Sequence, residues 1–181
     1  VACHIWQERM RDSTRRENLA RNIFMEHLVK VYGHEVRGMR RALDPDGDFS
    51  FTRLTLRRYC RNVNLKINIR DLWRALDRDD DGFVRFEEIN VRAAVALASL
   101  QDWAAKDPTL RSCTGIWDKS EMGIRGSCLK RMSTSTFTKV LKRMGWPGIA
   151  DQETRVMVIA SLDLLGCGMI TRSDLEWLDK W

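Results

Sequence analysis

Asp77-Arg78-Asp79-Asp80-Asp81-Gly82-Phe83-Val84-Arg85-Phe86-Glu87-Glu88 is the stretch on which the reading of this chain turns. Counted from Asp77, acidic side chains stand at positions 1, 3, 5 and 12, glycine stands at position 6, and helical patterns flank the segment on both sides. A hard divalent cation of calcium's size needs such an alternation, because it takes about seven oxygen ligands at roughly 2.3 to 2.6 Å from a loop short enough to wrap it. Asp77, Asp79 and Asp81 offer carboxylates, Phe83 its backbone carbonyl, and Glu88 both oxygens from the first turn of the next helix. Gly82 falls where the chain must bend sharply, at a backbone angle that glycine alone adopts without strain. Val84 at position 8 is expected to point inward and pair through a short β-bridge with a neighbouring loop. Arg85 at position 9 has no oxygen to give, so a water is expected there. The predicted metal ligands are therefore Asp77, Asp79, Asp81, Phe83 and Glu88, and the predicted cofactor is Ca2+.

Loops of this kind work in pairs, and 33 residues upstream Asp44-Pro45-Asp46-Gly47-Asp48-Phe49-Ser50-Phe51-Thr52-Arg53-Leu54-Thr55 aligns. Asp44, Asp46 and Asp48 keep positions 1, 3 and 5, and Phe51 supplies the apolar residue at position 8. Phe49 replaces the glycine, and a bulky left-handed residue costs about 1–2 kcal/mol. Thr55 replaces the bidentate glutamate. The expectation for Asp44, Asp46 and Asp48 is weak or absent metal binding.

The C-terminal half repeats the layout with fewer ligands. Asp163-Leu164-Leu165-Gly166-Cys167-Gly168-Met169-Ile170-Thr171-Arg172-Ser173-Asp174 keeps an acid at positions 1 and 12, but Leu165 and Cys167 remove the carboxylates between them. Its partner loop is placed at about 125–136 by setting Met132 at position 8, and this loop has almost no acidic ligand. Metal binding is not expected in either.

The four-loop layout resembles the calmodulin-like EF-hand superfamily from about Asn18 onward. Phrases such as LWRALDRDDDGFVRFEEI (Leu72 to Ile89), FTKVLKRMGW (Phe137 to Trp146) and DLEWLDKW (Asp174 to Trp181) look like the four-EF-hand repeat proteins of dinoflagellates and related protists. The resemblance implies an all-α fold of two EF-hand pairs with short β-bridges between paired loops, calcium as ligand, and no enzymatic activity. The first pair, with an extra N-terminal helix, is assigned to 1–106, holding the degenerate loop 44–55 and the intact loop 77–88. The degenerate second pair is assigned to 107–181.

Helical spacing supports the outline. Leu19, Ile23, Phe24, Leu28 and Val31, then Val36, Met39 and Leu43, recur at helical intervals, with Gly33 between two helices and Thr14 with Glu17 as a capping-box start. Further helices are expected around Leu56–Cys60 and Ile69–Leu76, from Phe86 to about Lys106, and over Thr136–Met144, Asp151–Leu162 and Ser173–Trp181. Strand signals span two or three residues at a time. Trp73, Val140, Met157 and Ile159 are expected in the core. Trp146 beside Pro147 at a turn, with Trp177 and Trp181 on the terminal helix, are the candidates for contact with a partner.

The 181 residues carry 31 Lys+Arg against 25 Asp+Glu, a net charge of +6. Of that excess, residues 1–64 hold 13 basic and 8 acidic groups. Arg9, Arg11, Arg15, Arg16 and Arg21, with others to Arg61, read most simply as a solvated helix face, with docking to an acidic protein surface ahead of nucleic acid as the functional alternative. Few aromatics interleave them and no nucleic-acid-binding motif follows, which argues against nucleic acid. The longest weakly polar run, Val91 to Leu100, is too short to span a bilayer. His4, His27 and His34 stand in no metalloprotease spacing, and no nucleophile elbow or phosphate loop appears, so an enzyme is not expected. Five cysteines without a C-x-x-C pair argue against a disulfide framework or zinc knuckle. On that cysteine usage the expected setting is intracellular and reducing, the cytoplasm ahead of a processed organellar origin; the chain opens at Val1 with no charged stretch before an apolar one, so any targeting peptide is expected to have been removed or never included. Two functions are read: a calcium-responsive sensor or regulatory subunit acting through protein contacts, or a constitutive EF-hand scaffold subunit of a larger assembly.

Overall fold

Seven of the described helix starts are set by side-chain acceptors. Thr52, Asn68, Asn90, Ser112, Ser133, Asp151 and Thr171 each accept a backbone N–H from the first turn of the helix they precede. Such caps satisfy donors that the helix itself leaves free. The computed structural model describes residues 2–120 and 131–181, with side chains from Gln7 onward. Positions 125–130 of the loop expected at 125–136, and the side chains of Cys3, His4 and Cys128, lie outside the described residues.

The elements run α1 (Ala2–Tyr32), α2 (Glu35–Gly38) continuing into a π-helical turn (Met39–Leu43), β1 (Ser50–Thr52), α3 (Arg53–Asn62), α4 (Ile69–Leu76), β2 (Phe83–Arg85), α5 (Phe86–Ile89), α6 (Val91–Lys106), α7 (Cys113–Asp118), β3 (Arg131–Ser133), α8 (Thr134–Met144), a 3-10 turn (Pro147–Ile149), α9 (Gln152–Leu162), β4 (Met169–Thr171) and α10 (Arg172–Lys180). The protein is mostly helical, with two small antiparallel sheets of two strands each. In one, Phe51 lies opposite Val84. In the other, Met132 lies opposite Ile170. All four of these side chains are buried, so each sheet places its central pair in a core.

The chain divides into two compact units, Val1–Ile89 and Asn90–Trp181. The division falls 17 residues before the boundary expected at 106, because the segment Phe86–Lys106 is not one helix. Asn90 leaves the helical conformation (φ −145°) and caps α6 by accepting the Ala93 N–H at 2.9 Å. α6 then packs on α7, α9 and α10 within the second unit.

In the first unit α1 packs along α4 and turns into α2 through Gly33, whose φ of 78° permits the reversal. The buried stripe of α1 is Ala20, Phe24 and Leu28. Leu19, Ile23 and Val31, expected to share it, are exposed instead. Leu19 and Ile23 each stand one position before a stripe residue, about 100° round a 3.6-residue helix, whereas Val31 falls on the stripe's own face in the last turn of α1 and is exposed there. Nor does α1 begin at Thr14: the helix runs through it, and the Thr14 hydroxyl donates to the Met10 carbonyl four residues back at 3.0 Å. In the second unit Leu97, Leu100, Ile116, Phe137, Leu141 and Leu175 are fully buried.

The tryptophans also depart from expectation. Trp73 is buried, but so are Trp146 and Trp177, two of the three residues expected to meet a partner. Trp146 is only 1 % exposed, and Gly148 lies so close that an added Cβ would meet the indole ring at 2.3 Å. A glycine at 148 thus makes room for the ring to fold back beneath its own turn. Val140 is buried, while Met157 and Ile159 are half-buried on either side of the fully buried Val158. Among the described residues no helix is long and apolar enough to cross a membrane.

Candidate metal centre

The loop between α4 and β2 is organised by its first residue. Asp77 is buried, and its two carboxylate oxygens accept the backbone N–H groups of Asp81 and Gly82, both at 3.2 Å. The chain can close on Asp77 because two residues take left-handed backbone angles, Asp80 (φ 56°) and Gly82 (φ 87°). Aspartate tolerates that region better than most residues, and glycine enters it freely. Asp79 accepts the Asp81 N–H at 3.4 Å, and Asp81 accepts the Phe83 N–H at 2.9 Å.

These turns bring one carboxylate oxygen each from Asp77, Asp79 and Asp81 within 4.8 Å of one another. Glu88 approaches from α5. Its carboxylate accepts the N–H of Arg78 at 3.1 Å and of Arg85 at 3.0 Å, spanning the loop from its second position to its ninth. Phe83 opens β2 with an exposed side chain, and its backbone N–H is the donor to Asp81. Hard, anionic oxygens close together could hold a hard cation and offer nothing to a soft metal.

Arg85 lies across the same carboxylates. Its guanidinium is 2.6 Å from Asp81 and 3.6 Å from Asp79. The Asp81 carboxyl is held below the usual carboxylate range, first by the Phe83 N–H and then by the Arg85 hydrogen bond. The sequence marked Arg85 only as a residue without an oxygen; its reach back to positions 3 and 5 needed the strand geometry of β2.

The other two described loops share the frame. Asp44 accepts the N–H groups of Asp48 (2.8 Å) and Phe49 (2.9 Å), and Asp163 those of Cys167 (3.2 Å) and Gly168 (2.9 Å). Both carboxylates are buried. Burial pushes the Asp44 carboxyl above its ordinary range, against the pull of its backbone hydrogen bonds. Positive φ recurs at the fourth and sixth positions, at Gly47 (77°) and Phe49 (61°), then at Gly166 (68°) and Gly168 (75°). Glycine at position 4 in both loops, Gly47 and Gly166, is the sign of that recurrence in the sequence.

The aspartates of loop 44–55 do not converge. Among the described residues Asp44, Asp46 and Asp48 form no group like that of Asp77, Asp79 and Asp81. Asp46 and Asp48 are exposed, and the Thr55 hydroxyl pairs with Thr52 at 3.2 Å at the start of α3. In loop 163–174 Asp174 is occupied with Thr171, accepting its N–H at 2.9 Å and its hydroxyl at 2.7 Å.

One long-range contact was invisible in the sequence. Arg21 on α1 donates to the carbonyls of Glu88 and Ile89, each at 3.1 Å. It thereby satisfies the end of α5, where Asn90 breaks the helix. No family model, no curated protein and no solved structure matches this chain.

Proposed function

We propose that the chain is an EF-hand-type calcium-binding protein with one working site, the loop Asp77–Glu88, and that it acts through contacts with other proteins. The observation that carries this reading is the convergence of Asp77, Asp79 and Asp81 to within 4.8 Å. Glu88, already turned over the loop, completes the anionic donors, and the Phe83 carbonyl is the neutral one. Three aspartates and a glutamate around one ion correspond to the sensor range of roughly 10⁻⁷ to 10⁻⁵ M. On this reading the two sheets are the bridges of two EF-hand pairs, with Phe51 and Val84, then Met132 and Ile170, at the eighth position of each loop. Loops 44–55 and 163–174 act as structural partners. The arginines of the N-terminal helices offer a partner with an acidic surface somewhere to dock. The free thiols of Cys60, Cys113 and Cys167 suit a reducing compartment.

A second reading, a constitutive scaffold, draws support from the three aspartates at position 1. Asp44, Asp77 and Asp163 close their loops through hydrogen bonds to the chain itself, which a scaffold needs and a metal switch does not.

Calorimetric titration with CaCl2 of the wild type beside Glu88→Gln, with circular dichroism at each end point, tests both. One ion per chain, lost or strongly weakened in the variant, with a change in helicity, supports the sensor. Binding with no change in helicity or in exposed apolar surface supports the scaffold. No heat in the wild type overturns the calcium reading.

A further inference from the structure

In two of the three described loops position 9 is a threonine turned toward the following helix. Thr52 accepts the Thr55 N–H and Thr171 accepts the Asp174 N–H. In the loop Asp77–Glu88 the same position is Arg85, and it turns the other way. Its backbone is fixed by pairing opposite Ser50 and by its N–H donated to Glu88. From that anchor the guanidinium reaches Asp81 Oδ2 with Nη2 at 2.6 Å and Asp79 Oδ2 with Nη1 at 3.6 Å. Oδ1 of each aspartate is already taken by a backbone N–H, from Phe83 on Asp81 and from Asp81 on Asp79. On each aspartate Arg85 thus engages the oxygen opposite the one that a backbone N–H holds, and an ion drawing on both carboxylates meets the guanidinium there.

We propose that Arg85 is a tethered competitor for the cation, a residue that sets the affinity of the loop by holding Asp79 and Asp81 until an ion displaces it. This rests on the calcium reading of the loop and goes beyond it in assigning the ion's first rival to the chain itself. An ion that enters must break both guanidinium contacts and then share the loop with a positive charge on a flexible stem. The intramolecular pair is solvent-exposed and individually weak, so it tunes the site without closing it. The larger effect is repulsion. Placing a unit charge about 5 Å from a dication in a water-like dielectric opposes binding by about tenfold.

The test is CaCl2 titration by calorimetry of the wild type, Arg85→Ala, Arg85→Gln and Arg78→Ala, with circular dichroism confirming that each is folded. Arg78 is the control: it stands at position 2 of the same loop with an exposed side chain, and its backbone N–H, which a substitution keeps, is what meets Glu88. Both Arg85 variants are expected to bind calcium about tenfold more tightly than the wild type in dilute salt, with the gap narrowing between roughly 20 mM and roughly 500 mM KCl as charges are screened. Arg78→Ala is expected to gain clearly less. Equal affinities for the wild type and the Arg85 variants overturn the proposal while leaving the calcium site standing. An equal gain from Arg78→Ala also overturns it, since general surface charge then suffices. If neither the wild type nor either Arg85 variant binds calcium, the calcium reading fails and takes the proposal with it.

Discussion

Asp163 accepts the backbone N–H of Gly168 at 2.9 Å, the same first-to-sixth contact that Asp44 makes with Phe49 and Asp77 with Gly82. Leu165 and Cys167 leave loop 163–174 without the carboxylates a cation needs, so at Asp163 this contact has a purely structural meaning. Removing a buried carboxylate that satisfies two N–H groups strands both donors, at about 1–3 kcal/mol each at most. Asp163→Ala is expected to lower the urea midpoint by a corresponding amount, equally with CaCl2 and with chelator. An unchanged midpoint would contradict the loop-closing role.

Phe49 carries backbone strain where its counterparts are glycine. With φ at 61° it occupies the region that costs a residue with a Cβ about 1–2 kcal/mol. The ring recovers part of that by lying 6.4 Å from the ring of Phe86. Phe49→Gly loses the ring but relieves the backbone, whereas Phe49→Ala loses the ring and keeps the strain. Chemical denaturation should therefore rank the glycine variant above the alanine variant by about 1 kcal/mol. The reverse order would show that position 49 is not strained.

His34 gives the fold a pH dependence of definite sign. It is buried between α1 and α2, neither ring nitrogen has a hydrogen-bond partner among the described residues, and Glu35 stands 3.8 Å from Nε2. Burial lowers its pKa, opposed by the Glu35 carboxylate and reinforced by Arg37. A base with a depressed folded pKa binds more protons when unfolded, so stability rises with pH across the interval between the two values. The loss on acidification begins near the ordinary imidazole value of about 6.5 and continues down to the folded one. Thermal melts of wild type and His34→Leu between pH 7.5 and 5 should diverge in slope, the variant being flatter. Parallel curves would remove His34 as the cause.

The thiols should separate by reactivity. Burial pushes Cys60 up to about 11, and burial together with the Asp179 carboxylate pushes Cys113 higher still, while Cys167 is exposed. Because the thiolate is the reactive form, brief iodoacetamide treatment at about pH 8 followed by peptide mapping should label Cys167 well ahead of Cys60 and Cys113. Rapid labelling of Cys113 would mean that the α7 region opens readily.

How much of this could be read from the residues differs by feature. The register of both sheets was legible, because an apolar residue at the eighth position of each loop identifies Phe51, Val84, Met132 and Ile170 as the inward pairs. The convergence of Asp77, Asp79 and Asp81 was legible for a similar reason, since alternation and a glycine fix the turn locally. The break at Asn90 was not. Ala93, Ala94, Ala96 and Leu97 favour helix, and the carbonyls at the end of α5 are satisfied by Arg21, 67 residues from the nearer one. Trp146 and Trp177 misled for another reason: a turn and a terminal helix look exposed in sequence, and only the packing around them shows otherwise. Leu19 and Ile23 belong to a long helix whose apolar residues outnumber the stripe it buries.

The brevity of α5 has a mechanical side. A long helix leaving a loop turns a small rotation at its root into a wide sweep at its tip. One of four residues, about 6 Å at 1.5 Å per residue, has no such gain. Glu88 is joined to α1 through its own carbonyl, which accepts from Arg21 at 3.1 Å. Arg21 stands nineteen residues along a 31-residue helix from the N-terminal end at Ala2. The reach absent from the outgoing helix lies in α1, which extends about 28 Å from Arg21 back to Ala2 by the same rise per residue and is tied to α4 on the way by Arg16 with Asp71 (3.9 Å) and Glu17 with Arg74 (4.0 Å).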